Sequence, residues 1–283
     1  MTAGGQTTKR RLVLYRHPVV VRLTHWIGVL CVGVLIASGL QIFNAHPGLY
    51  LGQRSTFARP IFSIVAEQTP TGALAGRVRF GQAISLPTTG VLGVSRDDGQ
   101  PAARAFPHWA TLPGFIDLAT GRRWHFFFAW IFVANLALML GYGLVGGRYR
   151  RMLALTRRDL ADIPRSIWRH LQLKFPHGEE ARSYNVLQKL AYLAVIALFL
   201  PLMVLTGLSM SPGVDAAAAW LPALFGGRQS ARTLHFIIAS GIVLFIAVHL
   251  VMVLVSGVFN NLRSMITGGY AIRLDEEAGH AQS

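Results

Sequence analysis

The sequence predicts an all-α membrane protein: a four-transmembrane-helix bundle with a long outer loop between helices 1 and 2. Two observations carry this. Hydrophobic residues fill 52% of the 283 positions and charged residues only 14%, against roughly 25% charged in soluble chains. The apolar residues also gather into four runs, 23–43, 124–145, 190–210 and 233–259, none holding Asp, Glu, Lys or Arg. About 20 such residues are enough to cross roughly 30 Å of hydrocarbon.

Charge sets the direction of the runs. Lys9, Arg10, Arg11, Arg16 and Arg22 precede the first, which keeps that end in the cytoplasm. The segment 146–183 carries nine positive residues in 38, Arg148, Arg150, Arg151, Arg157, Arg158, Arg165, Arg169, Lys174 and Arg182, and is also read as cytoplasmic. The segment 44–121 has six in 78, Arg54, Arg59, Arg77, Arg79, Arg96 and Arg104, and is read as periplasmic. Both termini are then cytoplasmic, with tails at 1–17 and 271–283 and the helical domain at 18–270. The first run reads as an anchor rather than a cleaved leader because it is 21 residues long. Within 44–121 the pattern suggests a short interfacial helix near 57–67 and a hairpin around 77–94. No internal repeat is evident.

The net charge of +15 is dispersed over the loops without a basic face, which excludes nucleic acid as a partner. A single cysteine, Cys31, leaves no intrachain disulfide and no thiolate cluster, and reads as a small buried hydrophobe.

Four of the ten histidines, His25, His125, His235 and His249, fall within the runs. Ionisable groups are costly there and mark function by default. His235 and His249 share the fourth run and stand 14 residues apart, about 21 Å along a helix and within about 40° of one face. Two sites are therefore expected along one helix. Chain direction supplies their partners. The second run enters from outside with His125 near its start, matching His235; the first enters from inside with His25 near its start, matching His249. A haem iron takes one axial ligand from each side, and paired imidazoles suit a six-coordinate, electron-carrying iron. The expectation is two b-type haems, held by His25 with His249 and by His125 with His235.

Arg22, Arg122 and Arg232 each stand three residues before one of these histidines. That spacing puts the two side chains on one helix face, where a guanidinium can pair with a haem propionate, although arginines also snorkel at such positions. Gly28 and Gly39 stand 3 and 14 residues after His25 and leave room for a flat macrocycle, or for close helix packing. His17, His46, His108, His170, His177 and His280 read as ordinary loop histidines. Trp26, Trp124 and Trp220 are placed as interfacial anchors. Lys189, with Asn185, Gln188 and Tyr192, offers polar groups at the inner end of the third run, suited to a quinone headgroup or to capping a helix.

The entries Arg22-Leu23-Thr24-His25-Trp26 and Arg122-Arg123-Trp124-His125, with the fourth-run pair 14 residues apart, resemble the bacterial cytochrome b561 and nickel-hydrogenase or formate-dehydrogenase type di-haem cytochrome b subunits. The likeness covers 18–270. It implies two haem b, on the same histidine pairs, in the bacterial inner membrane, with quinone as diffusible substrate and a catalytic oxidoreductase subunit docked on one face. The stretch from Phe106-Pro107-His108-Trp109 to Gly121 resembles members that accompany periplasmic molybdopterin oxidoreductases, while the length of the outer loop departs from minimal members. The resulting expectation is an electron-transfer subunit between the quinone pool and a periplasmic partner. Two rivals stand beside it: a stand-alone cytochrome b561 oxidoreductase acting on quinone and a small species such as superoxide, and a haem-free, histidine-lined transporter or metal-binding protein.

Overall fold

The computed structural model describes residues 9–97, 99–145, 147, 149, 153–172 and 186–275. His177, Asn185, His280, Arg148, Arg150, Arg151, Lys174 and Arg182 lie outside them. In chain order the helices are α1 (Val19–Asn44), α2 (Leu118–Leu144), α3 (Arg157–Ala161), α4 (Ile163–Leu171), α5 (Val186–Ser209), α6 (Pro212–Ala217), α7 (Trp220–Leu224), α8 (Arg228–Val255) and α9 (Val258–Thr267). Helices α1, α2, α5 and α8 are long and apolar enough to cross a membrane. All four match expected runs, with shifted ends. The fourth stops at Val255 rather than 259, because Gly257 turns left-handed (φ 103°) and starts α9 afresh.

The third span is not regular. Residues Ala194–Phe199 form a π-helical stretch directly before Pro201. Proline has no N–H to give the carbonyl four residues back, and its ring crowds that carbonyl. Widening the preceding turn relieves both problems.

Strands are the main departure from an all-helical expectation. They are β1 (Lys9–Tyr15), β2 (Gly48–Leu49), β3 (Phe62–Gln68), β4 (Leu74–Phe80), β5 (Ile84–Pro87), β6 (Gly93–Asp97), β7 (Gln100–Arg104) and β8 (Gly269–Asp275). Strands β2 to β5 form one antiparallel sheet in sequence order, and β6 pairs with β7. The helix expected near 57–67 is therefore corrected: most of that stretch is β3. Its Ile64 faces Val78 across the ladder and both are buried, a pairing that β-branched residues favour. The hairpin expected at 77–94 is present in part, as β4 with β5. The two tails are not separate either, since β1 pairs with β8 along its whole length, Lys9 opposite Asp275 and Tyr15 opposite Gly269.

The chain divides into two compact units. One takes the chain up to Trp26, Leu138–Val195, and everything from Leu244 onward; the other takes Ile27–Ala137 and Ile196–Val243. His25 and His249 belong to the first, His125 and His235 to the second.

Within the second unit, Phe43, Leu49, Ile64, Val78 and Ala105 form a buried core against Phe62, Leu92, Phe106 and Phe236. Phe43 stacks on Phe236 at 4.8 Å, so the residue next to His235 is packed into the β-rich segment. The start of α8 is held there too. Helix-terminal N–H groups lack partners within the helix, and here Gln229 donates to the Gly52 carbonyl at 2.9 Å while Ser230 accepts from the Gly52 N–H at 2.8 Å.

Arg104, at the end of β7, ties the segment to α1. Its side chain is 1% exposed. Nε donates to the Phe106 carbonyl at 3.0 Å, Nη1 to the Gly114 carbonyl at 2.9 Å, and Nη2 to Thr111 Oγ1 at 3.0 Å and Gln41 Oε1 at 3.4 Å. Each buried acceptor left unmatched costs about 1–3 kcal/mol. Arg104→Leu should therefore lower the Tm of the detergent-solubilised protein and open 45–117 to protease; unchanged protease resistance would refute this role.

Candidate cofactor-ligating site

In the second unit the structure brings His125 of α2 and His235 of α8 together, with ring centres 6.3 Å apart and planes at 62°. Each ring is fixed by a neighbouring helix. Ser38 Oγ of α1 lies 3.0 Å from His125 Nδ1, and Thr206 Oγ1 of α5 lies 3.0 Å from His235 Nδ1. No hydrogen bond engages either Nε2 among the described residues. The residue after each hydroxyl is glycine. A Cβ on Gly39 would sit 3.4 Å from His125 Cε1, and one on Gly207 would sit 3.4 Å from His235 Cε1, so larger side chains there would press on the rings.

The other two histidines both belong to the first unit. The Nδ1 of His25 is buried without a hydrogen-bond partner, and its ring meets Trp26 edge-on at 5.3 Å. His249 stacks on Phe245 at 6.0 Å, and Phe245 meets Tyr192 at 6.4 Å.

The three arginines have different surroundings. Arg232 donates from Nη1 to the Gly48 carbonyl at 2.8 Å and from Nη2 to the His46 carbonyl at 2.5 Å. It also lies over the Phe43 ring. Arg22 donates to the Ile266 carbonyl and Trp26 Nε1 to the Met265 carbonyl at 3.1 Å. Together they cap the C-terminal end of α9, where cations and donors are favoured. Arg122 is exposed, over the ring of Phe126. Gly28 faces Asn135 of α2 rather than a histidine, with a Cβ there 3.6 Å from Nδ2. Lys189 is bonded to both oxygens of Asp159, at 3.1 and 3.0 Å. The Asp159 carboxyl is held below its usual value by the Thr156 N–H and then by Lys189.

Sequence reasoning missed Ser38, Thr206 and Gly207. A signal was present: Ser38-Gly39-Leu40 in the first span and Thr206-Gly207-Leu208 in the third repeat a hydroxyl, a glycine and a leucine.

A family model for prokaryotic cytochrome b561 matches residues 16–268. The chain belongs to that family. It is also 28% identical over 242 residues to a protein of Azospira oryzae carrying the provisional assignment protein-methionine-sulfoxide reductase subunit YedZ1, a match covering 84% of this chain and 89% of that one. No solved structure matches. Membership makes this a multi-pass, haem-binding electron-transfer protein of the membrane. The residues fit that cofactor. Imidazole–metal bonds of about 2.0–2.1 Å to one shared metal require ring centres roughly 6 Å apart, the separation seen for His125 and His235. Gly39 and Gly207 leave the space beside those rings open, and His25 Nδ1 is a buried polar atom still wanting a partner.

Just before α1, His17 is held neutral. Burial, then the charges of Arg16, His25 and Arg22, push its pKa from about 6.5 down to about 4. Between those values the unfolded chain takes up a proton that the folded chain refuses, so folding loses stability as pH falls through this window. The fall in Tm from pH 7 to pH 5 should be smaller in His17→Gln; an identical fall would remove His17 as its cause.

Proposed function

We propose that the chain is a di-haem subunit carrying electrons between the quinone pool and a periplasmic catalytic partner. The observation that supports this best is the His125–His235 pair, 6.3 Å between ring centres with both Nδ1 atoms tied back to hydroxyls. In this reading His125 and His235 ligate one iron, and His25 and His249 the other. A haem in each pair supplies a one-electron carrier. The chain's own residues hold the rings and exclude water from them with apolar helix faces.

Arg122 and Arg22 are the arginines we assign to propionates, Arg122 being exposed and Arg22 retaining a buried Nε without a partner. Both terminal nitrogens of Arg232 already serve backbone carbonyls, and we assign it to holding the β-rich segment over α8. Quinone is placed near Tyr192 and Phe245, beside His249. The positive residues before α1 and after α2 put both termini in the cytoplasm of a bacterial inner membrane. The β-rich segment is then periplasmic, a surface for a molybdopterin-containing partner. The Azospira relative's assignment suggests a partner that reduces methionine sulfoxide.

The reduced-minus-oxidised spectrum of the purified chain tests this reading, with haem counted per polypeptide. Two low-spin b-type haems are expected, and absence of a b-type α-band would sink the proposal. His235→Ala and His249→Ala should each lose one haem; retention of both in His249→Ala would break the assigned pairing.

A further inference from the structure

The His125–His235 pair is held twice over by the same local device, taken from different stretches of chain. Ser38 and Thr206 are both wholly buried, at 0% exposure. Each hydroxyl lies 2.6 Å from the carbonyl four residues earlier, Val34 for Ser38 and Leu202 for Thr206, and 3.0 Å from a histidine Nδ1 on another helix. A glycine follows each, and a Cβ added to either would lie the same 3.4 Å from the Cε1 of the ring being held.

These distances fix where the protons are. Two oxygens approach to 2.6 Å only with a hydrogen between them, so each hydroxyl donates its single proton to the backbone. Towards histidine the hydroxyl oxygen can then only accept, and Nδ1 must carry N–H. A neutral imidazole has one N–H, which leaves Nε2 of both His125 and His235 with a bare lone pair.

We propose that Ser38 and Thr206 are matched positioning residues, each locking one histidine of the pair as the Nδ1–H tautomer and presenting Nε2 to a shared iron. The proposal rests on His125 and His235 being ligands of one haem. A hydrogen bond donated from the far nitrogen orients a ligating imidazole and makes it more basic. A more basic ligand favours the ferric state and lowers the midpoint potential. Because both clamps would act on ligands of the same iron, removing either should move the same midpoint in the same direction.

The test uses the full chain purified in detergent, with Thr206→Val, Ser38→Ala and the conservative Thr206→Ser. Spectroscopic redox titration and transfer of haem to a competing apoprotein are the readouts. Thr206→Val should raise one of the two midpoints, leave the other in place, and weaken haem retention at that site by about 10- to 100-fold. Ser38→Ala should raise the same midpoint, and Thr206→Ser should restore both properties. Should Thr206→Val fail to fold, Ser38→Ala carries the test alone, since it removes only one oxygen.

Wild-type midpoints and haem retention in the folded variants would overturn the proposal, as would Ser38→Ala and Thr206→Val moving different midpoints. His235→Ala separates the two levels of the argument. If it keeps two low-spin haems, the shared-ligand reading fails. If it loses one while the hydroxyl variants behave as wild type, only the clamp fails.

Discussion

An imidazole surrounded by hydrocarbon has two nitrogens to satisfy and no water to satisfy them with. Much of this fold follows from that constraint. In the ligand reading proposed for His125 and His235 one nitrogen is left for a metal, and the other has to find a partner that is itself already satisfied. A serine or threonine in mid-helix meets the need, because its proton can go to the preceding turn while its oxygen stays open to a neighbour. Such a hydroxyl reaches a ring on the next helix only if the helices approach closely, and the glycines beside Ser38 and Thr206 remove the side chains that would hold them apart. The small residues and the polar residues in these spans are thus parts of one solution.

The same constraint gives the β-rich segment a reason to be folded. A loop lying on the spans without structure would leave the head of α8 and the Arg232 guanidinium to solvent. Instead Gly52 pairs with the first turn of α8, and the carbonyls of His46 and Gly48 accept from Arg232. Phe43 and Phe236 stack beneath, an aromatic contact worth about 0.5–1.5 kcal/mol beyond its area. His235 therefore sits between a packed residue on one side and an anchored arginine three positions before it.

The spans were legible because lipid tolerates so few patterns: four charge-free runs have no other soluble or membrane reading. The histidines were legible for the same reason, since a polar ring in such a run demands a cause. What the sequence concealed depends on helix rotation. Nothing in the order of residues says that Ser38 faces His125, which lies 87 positions away, or that Thr206 faces His235, 29 positions away. The β-rich segment was misread around 57–67 because Pro60 and the preceding polar residues obscured the alternation of Phe62, Ile64 and Ala66. Arg232 was read from its distance to His235 alone, without the carbonyls of a segment 184 residues earlier.

The pairing of β1 with β8 also bears on how the protein is made. Strand β1 is made before all four spans and its partner β8 after them. Such a pairing closes a loop as long as the domain, and contacts of that kind form slowly. Until then β1 is an unpaired edge, of the sort that seeks other strands. Closing that sheet therefore waits on the segment that follows the fourth span.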